Sequence, residues 1–269
     1  MNNLLQYINE TFDMKKHLFG EWNAKGKPVE VEEIKDIIDN VTNFSPAEKQ
    51  QLFAARLRIV DAVMQRDGVD AALREVESLH PETDTQQIDL ILLKNELLTK
   101  GGREDEALQM INQSLQDSPD DIDLLYARAM ISASRQDVAG LEKDLQRVLK
   151  LQPGHIQALN AYGFTLADLT TRYKEAYSLV AAALKQKPSD PYILDSMGWV
   201  EFRLGNFEQA EQYLSKALAK RNDPEIASHL AEVLLAAGKT REAKKVWRKA
   251  NKDFPDDKRV MAVRDKIMN

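Results

Sequence analysis

The chain lacks cysteine and is poor in histidine. Its 269 residues contain no Cys and four His, at positions 17, 80, 155 and 229. Without thiols, the chain cannot form disulfides, thiolate metal sites or a cysteine nucleophile. Because the four His show no His-Glu-x-x-His pair and no metal-ligand spacing, the sequence predicts neither a metal nor another cofactor.

Motifs for phosphate binding and nucleophilic catalysis are also missing. Gly101-Gly102-Arg103 lacks the remaining glycine and the Lys-Ser or Lys-Thr pair of a phosphate-binding loop. Asp195-Ser196 is not a nucleophile elbow, because the Gly-x-Ser-x-Gly turn is absent. We therefore expect a protein without enzymatic activity.

Long apolar runs are absent as well. No stretch approaches the ~18 apolar residues of a membrane-spanning helix, so we expect no transmembrane segment. Met1 to Leu5 show no basic region followed by an apolar run, so no signal peptide is visible. The location is therefore either the cytoplasm or a compartment reached after removal of a targeting segment. The formal net charge of −6 argues against nucleic acid as a partner.

The chain does contain an internal repeat. A gapped pattern of small, apolar and Pro residues returns every 33 to 35 positions from about Ile88 to Pro255. A fixed period of this length is typical of stacked helical hairpins. The clearest copy, residues 191–223, places Leu194, Met197 and Gly198 on one helix and Phe207, Ala210, Leu214 and Ala217 on a second helix.

Small residues recur where the two helices of a hairpin are expected to cross. Gly163 and Gly198 occupy equivalent positions in successive copies, and a small residue there lets the two backbones approach closely. Turns are predicted at Gly102, Gly205 and Gly238. The copy that begins near Leu125 has a turn without Gly, and a shortened unit with a turn at Asp67-Gly68 spans residues 46–81.

Acidic and amide residues mark the predicted helix starts. Asp190-Pro191 and Asp223-Pro224 each place an N-cap acid before a Pro at the first helical position. Asn206, followed by Gln209, is expected to cap its helix in a similar way. Ser45-Pro46-Ala47-Glu48 forms a capping box for the shortened unit.

The spacing resembles the tetratricopeptide repeat, a helix-turn-helix unit of about 34 residues. The resemblance implies an all-α fold, an α-solenoid of stacked helix-turn-helix repeats that forms a right-handed superhelix. We expect about six hairpins over residues 45–256 and a C-terminal capping helix over residues 257–269, with Val260, Met261, Val263 and Ile267 as its apolar residues. Residues 1–44 form a predicted helical segment, interpreted as a divergent repeat or cap; a homodimer contact and a truncated longer array are the alternatives.

In such an array the inner helices line a concave surface, which implies a protein-binding groove in this chain. Helical periodicity turns Asp195, Trp199 and Phe202 away from the second helix of their hairpin. The predicted groove residues are Tyr126, Met130, Asn160, Phe164, Asp168, Asp195, Trp199, Phe202, Arg203, His229 and Glu232. Aromatic residues beside Arg and Asp are typical of an interface core. Alternatively, Phe164, Trp199 and Phe202 fill contacts between successive inner helices.

Charge is unevenly distributed along the chain. Residues 239–269 contain 11 Lys or Arg and 5 Asp or Glu, a net charge of +6, which leaves −12 for the rest. This segment is interpreted either as a solvated helix face or as a basic docking patch for an acidic partner or anionic lipid headgroups.

Three segments resemble a narrower family. Residues 158–168, 172–176 and 193–200 are similar to the C-terminal array of periplasmic tetratricopeptide lipoproteins of proteobacteria, and the resemblance covers roughly residues 85–256. It implies a non-enzymatic adaptor, anchored to the outer membrane in its precursor. Its implied partners are a carboxyl-terminal processing protease and cell-wall hydrolase substrates. The alternative is a cytoplasmic scaffold in secretion, pilus assembly or regulation.

Overall fold

The structure, a computed structural model, describes residues 46–268, and every regular element within them is an α-helix. In chain order these are α1 (Pro46–Asp67), α2 (Val69–Glu77), α3 (Asp84–Lys100), α4 (Glu104–Asp117), α5 (Ile122–Ser134), α6 (Val138–Leu151), α7 (Ile156–Leu169), α8 (Tyr173–Gln186), α9 (Pro191–Arg203), α10 (Phe207–Lys220), α11 (Pro224–Ala236), α12 (Thr240–Asp253) and α13 (Lys258–Met268). No helix within this range combines the length and the apolar character needed to cross a membrane. The helices predicted in residues 1–44 and the N-cap Ser45 lie outside the described residues.

The chain divides into two compact units, Met1–Pro119 and Asp120–Asn269. In the described part of the N-terminal unit, α1 packs on α2 and α3 packs on α4. Four further hairpins follow in the C-terminal unit, each made of a first helix (α5, α7, α9 or α11) and a second helix (α6, α8, α10 or α12). These stacked hairpins confirm the predicted α-solenoid of helical repeats.

Glycine lies where the two helices of a hairpin meet in α7–α8 and in α9–α10, as the repeat pattern predicts. A Cβ atom on Gly198 would lie 2.6 Å from Leu214 Cγ, and one on Gly163 would lie 2.6 Å from Val180 Cγ2 and 2.8 Å from the Ala176 carbonyl oxygen. Real Cβ contacts are not this short, because atoms at such distances overlap. The hairpins α7–α8 and α9–α10 therefore depend on the missing side chain.

Four of the hairpin turns use a left-handed backbone conformation. Gly102, Gly205 and Gly238 have φ values of 71°, 84° and 76°, which confirms the predicted turns. The turn between α5 and α6, which lacks Gly, adopts the same conformation at Gln136, with a φ of 58°. A residue with a Cβ tolerates this region at a cost of about 1–2 kcal/mol, so the repeat geometry is kept at this position against the local preference of the residue.

Two of the predicted N-caps are confirmed and one is wrong. The Asp190 carboxylate accepts hydrogen bonds from the N–H groups of Tyr192 and Ile193, and Asp223 caps α11 in the same way. The Asn206 side chain does not cap α10. Its Nδ2 instead donates to Glu201 Oε2 at 2.7 Å, because the buried Glu201 carboxylate needs a donor.

Helix α13 packs on α11 and α12. It buries Val260, Val263 and Ile267, whereas Met261 is 40% exposed, because a step of one residue turns a side chain about 100° around the helix. The Trp247 indole N–H donates to the Val260 carbonyl oxygen at 3.0 Å. The apolar side of α13 is therefore built into the last hairpin, with Met261 left outside.

Candidate protein-binding site

The predicted groove residues all lie on the first helices of the C-terminal unit. α9 contacts both α7 and α11, so side chains from three first helices meet there. Their rings form an aromatic cluster, which we define as Phe164, Trp199, Phe202 and His229. The structure thus brings together residues from three helices that are up to 65 positions apart in sequence.

Trp199 is the centre of the aromatic cluster. Its ring stacks on His229, with ring centroids 4.3 Å apart and planes inclined by 26°, and it contacts Phe202 at 5.1 Å. Its Nε1–H donates to Asp168 Oδ1 at 3.1 Å. Only 7% of Trp199 is exposed, so this ring fills the contact between neighbouring first helices, as the alternative interpretation predicted.

Phe164 and Phe202 are more accessible than Trp199. Both are only partly buried, and Phe164 contacts His229 with ring centroids 5.9 Å apart. Phe202 also lies 5.9 Å from Phe207, a ring that is 38% exposed at the start of α10. The prediction that Phe202 turns away from the second helix of its hairpin is therefore wrong, because Phe202 comes one turn after Gly198 and lies on the same side of α9. The prediction from sequence missed Phe207, because its position belongs to a second helix.

The buried Asp195 and the partly buried His229 form a pair between α9 and α11. His229 Nδ1 lies 2.9 Å from Asp195 Oδ1 and 3.0 Å from Oδ2, and Asp195 is 5% exposed. Burial lowers the pKa of His229, but the charge of Asp195, its hydrogen bond, and the charges of Glu225 and Glu232 outweigh burial and raise the pKa above its usual value. The pair links the two first helices α9 and α11.

Arg203 links α9 to the preceding hairpin. Its Nη1 donates to the Asp168 carbonyl oxygen at 3.0 Å, and its Nη2 donates to the Tyr173 hydroxyl oxygen at 3.1 Å. The guanidinium carbon also lies 5.1 Å from the centroid of the Tyr173 ring, a cation–π arrangement. Tyr173 was not among the predicted groove residues, and Arg203 is bonded within the array.

The remaining predicted residues lie apart from the aromatic cluster. The Tyr126 ring contacts His155 at 5.7 Å, and Glu232 Oε2 pairs with Lys266 Nζ at 2.8 Å. Met130 and Asn160 are partly buried, and Asn160 Oδ1 is buried without a hydrogen-bond partner. These residues extend the first-helix face on either side of the cluster.

The partly exposed rings of the aromatic cluster offer apolar contact. Within the described residues, no group of three or more His, Asp or Glu side chains is arranged to hold a metal ion. The one His in the cluster is occupied by Asp195 and stacked on Trp199. The surface can therefore receive an apolar or aromatic side chain against rings that are already fixed in place.

A family comparison identifies the repeat. The model of the family described as tetratricopeptide repeat matches residues 201–267. A tetratricopeptide-repeat-containing protein of Pseudomonas aeruginosa is 42% identical over 178 residues, which are 66% of this chain and 30% of that protein. The match thus spans less than a third of the relative's length.

Solved structures share the fold. A tetratricopeptide-repeat protein from Parabacteroides merdae gives a TM-score of 0.70 at 15% identity, over 100% of this chain and 98% of that chain. The type IV pilus biogenesis factor PilW gives 0.62 at 16% identity, over 79% and 98%. A thermophilic protein of the same class from Thermus thermophilus gives 0.58 at 24% identity, over 66% and 95%. At these identities the likeness concerns the fold alone. The family match, the Pseudomonas relative and the shared fold together support a tetratricopeptide-repeat protein.

Proposed function

We propose that this chain is a non-enzymatic adaptor that binds a protein segment on the first-helix face of its C-terminal unit. The observation that carries the proposal is the partly exposed edge of the aromatic cluster. Phe164 and Phe202 stand on this edge, and Phe207 continues it. Aromatic side chains supply most of the binding energy in many protein interfaces.

The cluster is held in one arrangement before any partner arrives. Asp168 accepts the Trp199 indole N–H, and Asp195 pairs with His229, which stacks on the same indole. Side chains that are already ordered lose little conformational entropy on binding. A partner therefore meets a prepared surface, in which the buried Trp199 supports the partly exposed rings.

We further propose that the bound partners are a periplasmic carboxyl-terminal processing protease and the cell-wall hydrolases that it degrades. The support is the resemblance of residues 158–168 and 193–200 to the protease-adaptor lipoproteins. Both segments contribute to the first-helix face, since they belong to α7 and α9. On this proposal the chain acts in the periplasm and brings protease and substrate together without chemistry of its own.

The test combines binding with proteolysis. Purified chain is added to the purified protease and one hydrolase substrate, and substrate loss is followed with time. We expect the wild-type chain to bind the protease and to accelerate degradation. Phe164→Ala combined with Phe202→Ala should keep the helical circular dichroism signal and weaken capture by at least tenfold, the effect expected for loss of two anchoring rings.

A matched control removes two rings from the second helices. Tyr177→Ala combined with Tyr213→Ala changes α8 and α10, and Tyr177 is 41% exposed. This variant should bind the protease like the wild type. Equal binding by both double variants would overturn the placement of the site. No binding of the protease by the wild-type chain would overturn the protease assignment and leave the first-helix face to be tested with another partner.

The proposed location has its own test. The natural gene, tagged at its 3′ end and expressed in its own host, should yield protein in the periplasmic or outer-membrane fraction. Recovery with the cytoplasmic marker would contradict the periplasmic assignment and favour the cytoplasmic scaffold.

A further inference from the structure

Positive charge is concentrated on the second helices of the C-terminal unit, and most of all on α12. The four second helices contain 13 Lys or Arg and 7 Asp or Glu. The four first helices contain 2 Lys or Arg and 6 Asp or Glu. α12 alone holds six of the 13 cations and two of the seven acids. The excess therefore belongs mainly to one helix.

Four cations of α12 form a row, which we call the basic row: Arg241, Lys245, Arg248 and Lys252. Their spacing of four, three and four residues places them on one side of the helix, over a length of about 16 Å. The opposite side buries Ala243, Trp247 and Ala250 in the last hairpin. The row therefore points away from the core.

The side chains of the basic row are exposed and unpaired within the described residues. All four side chains are exposed, and within residues 46–268 none of them has an ion-pair or hydrogen-bond partner. The neighbouring helix α13 differs, because its Arg259 bonds to Asp257 and Glu225 and its Lys266 pairs with Glu232. Arg259 and Lys266 of α13 are therefore engaged within the fold, whereas the cations of the basic row are available to a ligand.

The exposed residues of α12 indicate which kind of ligand the basic row can bind. Every exposed residue on the helix is charged or polar, and Trp247 is 9% exposed. A stable protein interface usually has a buried aromatic or aliphatic anchor at its centre, and the exposed side of α12 offers none. A membrane surface with anionic headgroups needs no such anchor, since basic residues are attracted to its surface potential.

We propose that the basic row docks the chain on a membrane surface that carries anionic phospholipids. The contact is electrostatic, and no side chain of the row inserts between the lipids. Screening limits the attraction to about 8 Å at physiological ionic strength, so the row acts locally and the net charge of −6 of the whole chain does not cancel it. This docking is independent of the partner site, which lies on the first helices.

The test uses the full chain and sedimented vesicles. Vesicles of phosphatidylcholine with added phosphatidylglycerol should bind the chain at low salt, and pure phosphatidylcholine vesicles should not. Raising the salt to about 0.15 M should weaken binding, because the contact is electrostatic. Lys245→Gln, Arg248→Gln and Lys252→Gln together should weaken it about 100-fold, given the contribution of each basic residue near an anionic surface.

A control variant removes the same number of charges elsewhere. Lys143→Gln, Lys150→Gln and Lys174→Gln change exposed cations on α6 and α8, and this variant should retain most of the binding. Equal loss in both triple variants would overturn the basic row as the site, since net charge alone would then explain the attraction. Absence of binding to anionic vesicles at low salt would overturn the proposal outright.

A last arm separates lipid from protein. Fluorescent poly-glutamate is titrated with the chain under the same low-salt conditions, and its anisotropy is followed. Binding to poly-glutamate without binding to anionic vesicles would assign the basic row to an acidic protein and contradict membrane docking. Vesicle binding that depends on the row supports the proposal whether or not poly-glutamate also binds.

Discussion

The first and second helices of the C-terminal unit differ in how much of their surface is buried. α9 buries nine of its 13 residues, whereas α10 buries three of its 14. The cause lies in their neighbours: α9 contacts α7, α8, α10 and α11, and α10 contacts α9 and α11. A first helix is enclosed by other helices, and a second helix keeps one broad side in water.

This difference decides what a side chain can do on a first helix and what it can do on a second helix. On α9, Trp199 and Arg203 bond to the preceding hairpin and Asp195 bonds to the next one. On α12, the cations of the basic row bond to nothing within the described residues. The first helices therefore carry side-chain contacts that hold one hairpin on the next, whereas the second helices can change their surface charge at little cost to the fold.

The strongest test of this comparison removes one aromatic ring from a first helix and, in a separate variant, one from a second helix. Trp199→Ala deletes the ring that joins three first helices, and we expect a loss of about 3–5 kcal/mol in the free energy of unfolding, as for large core truncations. Tyr177→Ala on α8 should change it by less than about 0.5 kcal/mol, because its ring is 41% exposed. Denaturant unfolding of the full chain measures both. Similar losses of unfolding free energy in the two variants would show that first and second helices do not differ in their contribution to stability.

A second test adds bulk instead of removing it. Gly198→Leu places a side chain where even a Cβ would lie 2.6 Å from Leu214 Cγ, so we expect a loss of about 1–3 kcal/mol from overpacking. The matched control is Ala182→Leu, an exposed position on α8. Thermal unfolding should show a lower midpoint for Gly198→Leu only. If the two midpoints coincide, the hairpin crossing tolerates bulk and the packing argument fails.

The smallest expected effect concerns pH. The raised pKa of His229 in the folded state means that the Asp195–His229 pair stabilises the fold fully below the unfolded pKa, about 6.5. That stabilisation is lost as the pH rises through the higher folded pKa. Asp195→Asn should therefore destabilise the chain more at pH 6 than at pH 9. An NMR titration of the His229 imidazole should show a midpoint that falls in this variant.

An ion pair between α6 and the turn before α8 provides the control for this pH dependence. Arg172 donates to Glu142 and lowers the pKa of that carboxyl, so the pair stays charged throughout this range. Glu142→Gln should reduce stability by the same amount at pH 6 and pH 9. A pH-independent effect of Asp195→Asn would remove His229 as the titrating group.

The sequence predicted those features that depend on local rules. Gly205 and Gly238 are recognisable as turn residues because tight turns need a left-handed backbone. Asp190 and Asp223 are recognisable as N-caps because each precedes a Pro at the first helical position. Gly163 and Gly198 follow from the repeat itself, since the same position in each copy meets the same neighbour. These features fix the hairpins without knowledge of distant contacts.

The candidate site was predicted only as a set of positions. Its pairs, such as Trp199 with Asp168 and Arg203 with Tyr173, join residues about 30 positions apart whose contact depends on how one hairpin lies on the next. Periodicity places Trp199 on the correct helix side, but it cannot distinguish a ring that contacts a partner from one that fills the gap between first helices. The N-cap prediction for Asn206 was wrong for a similar reason. The local sequence does not show that the buried Glu201 carboxylate requires a hydrogen-bond donor, which Asn206 supplies.

Helix α13 also bears on how copies of the chain can assemble. It contacts α11 and α12 in the way that the first helix α9 contacts α7 and α8 of the preceding hairpin. It therefore occupies the surface on which another hairpin would stack, and Trp247 fastens it there through the Val260 carbonyl group. Repeat proteins whose terminal apolar faces stay open can join end to end into filaments. With α13 in place, this face of the array is closed to such growth.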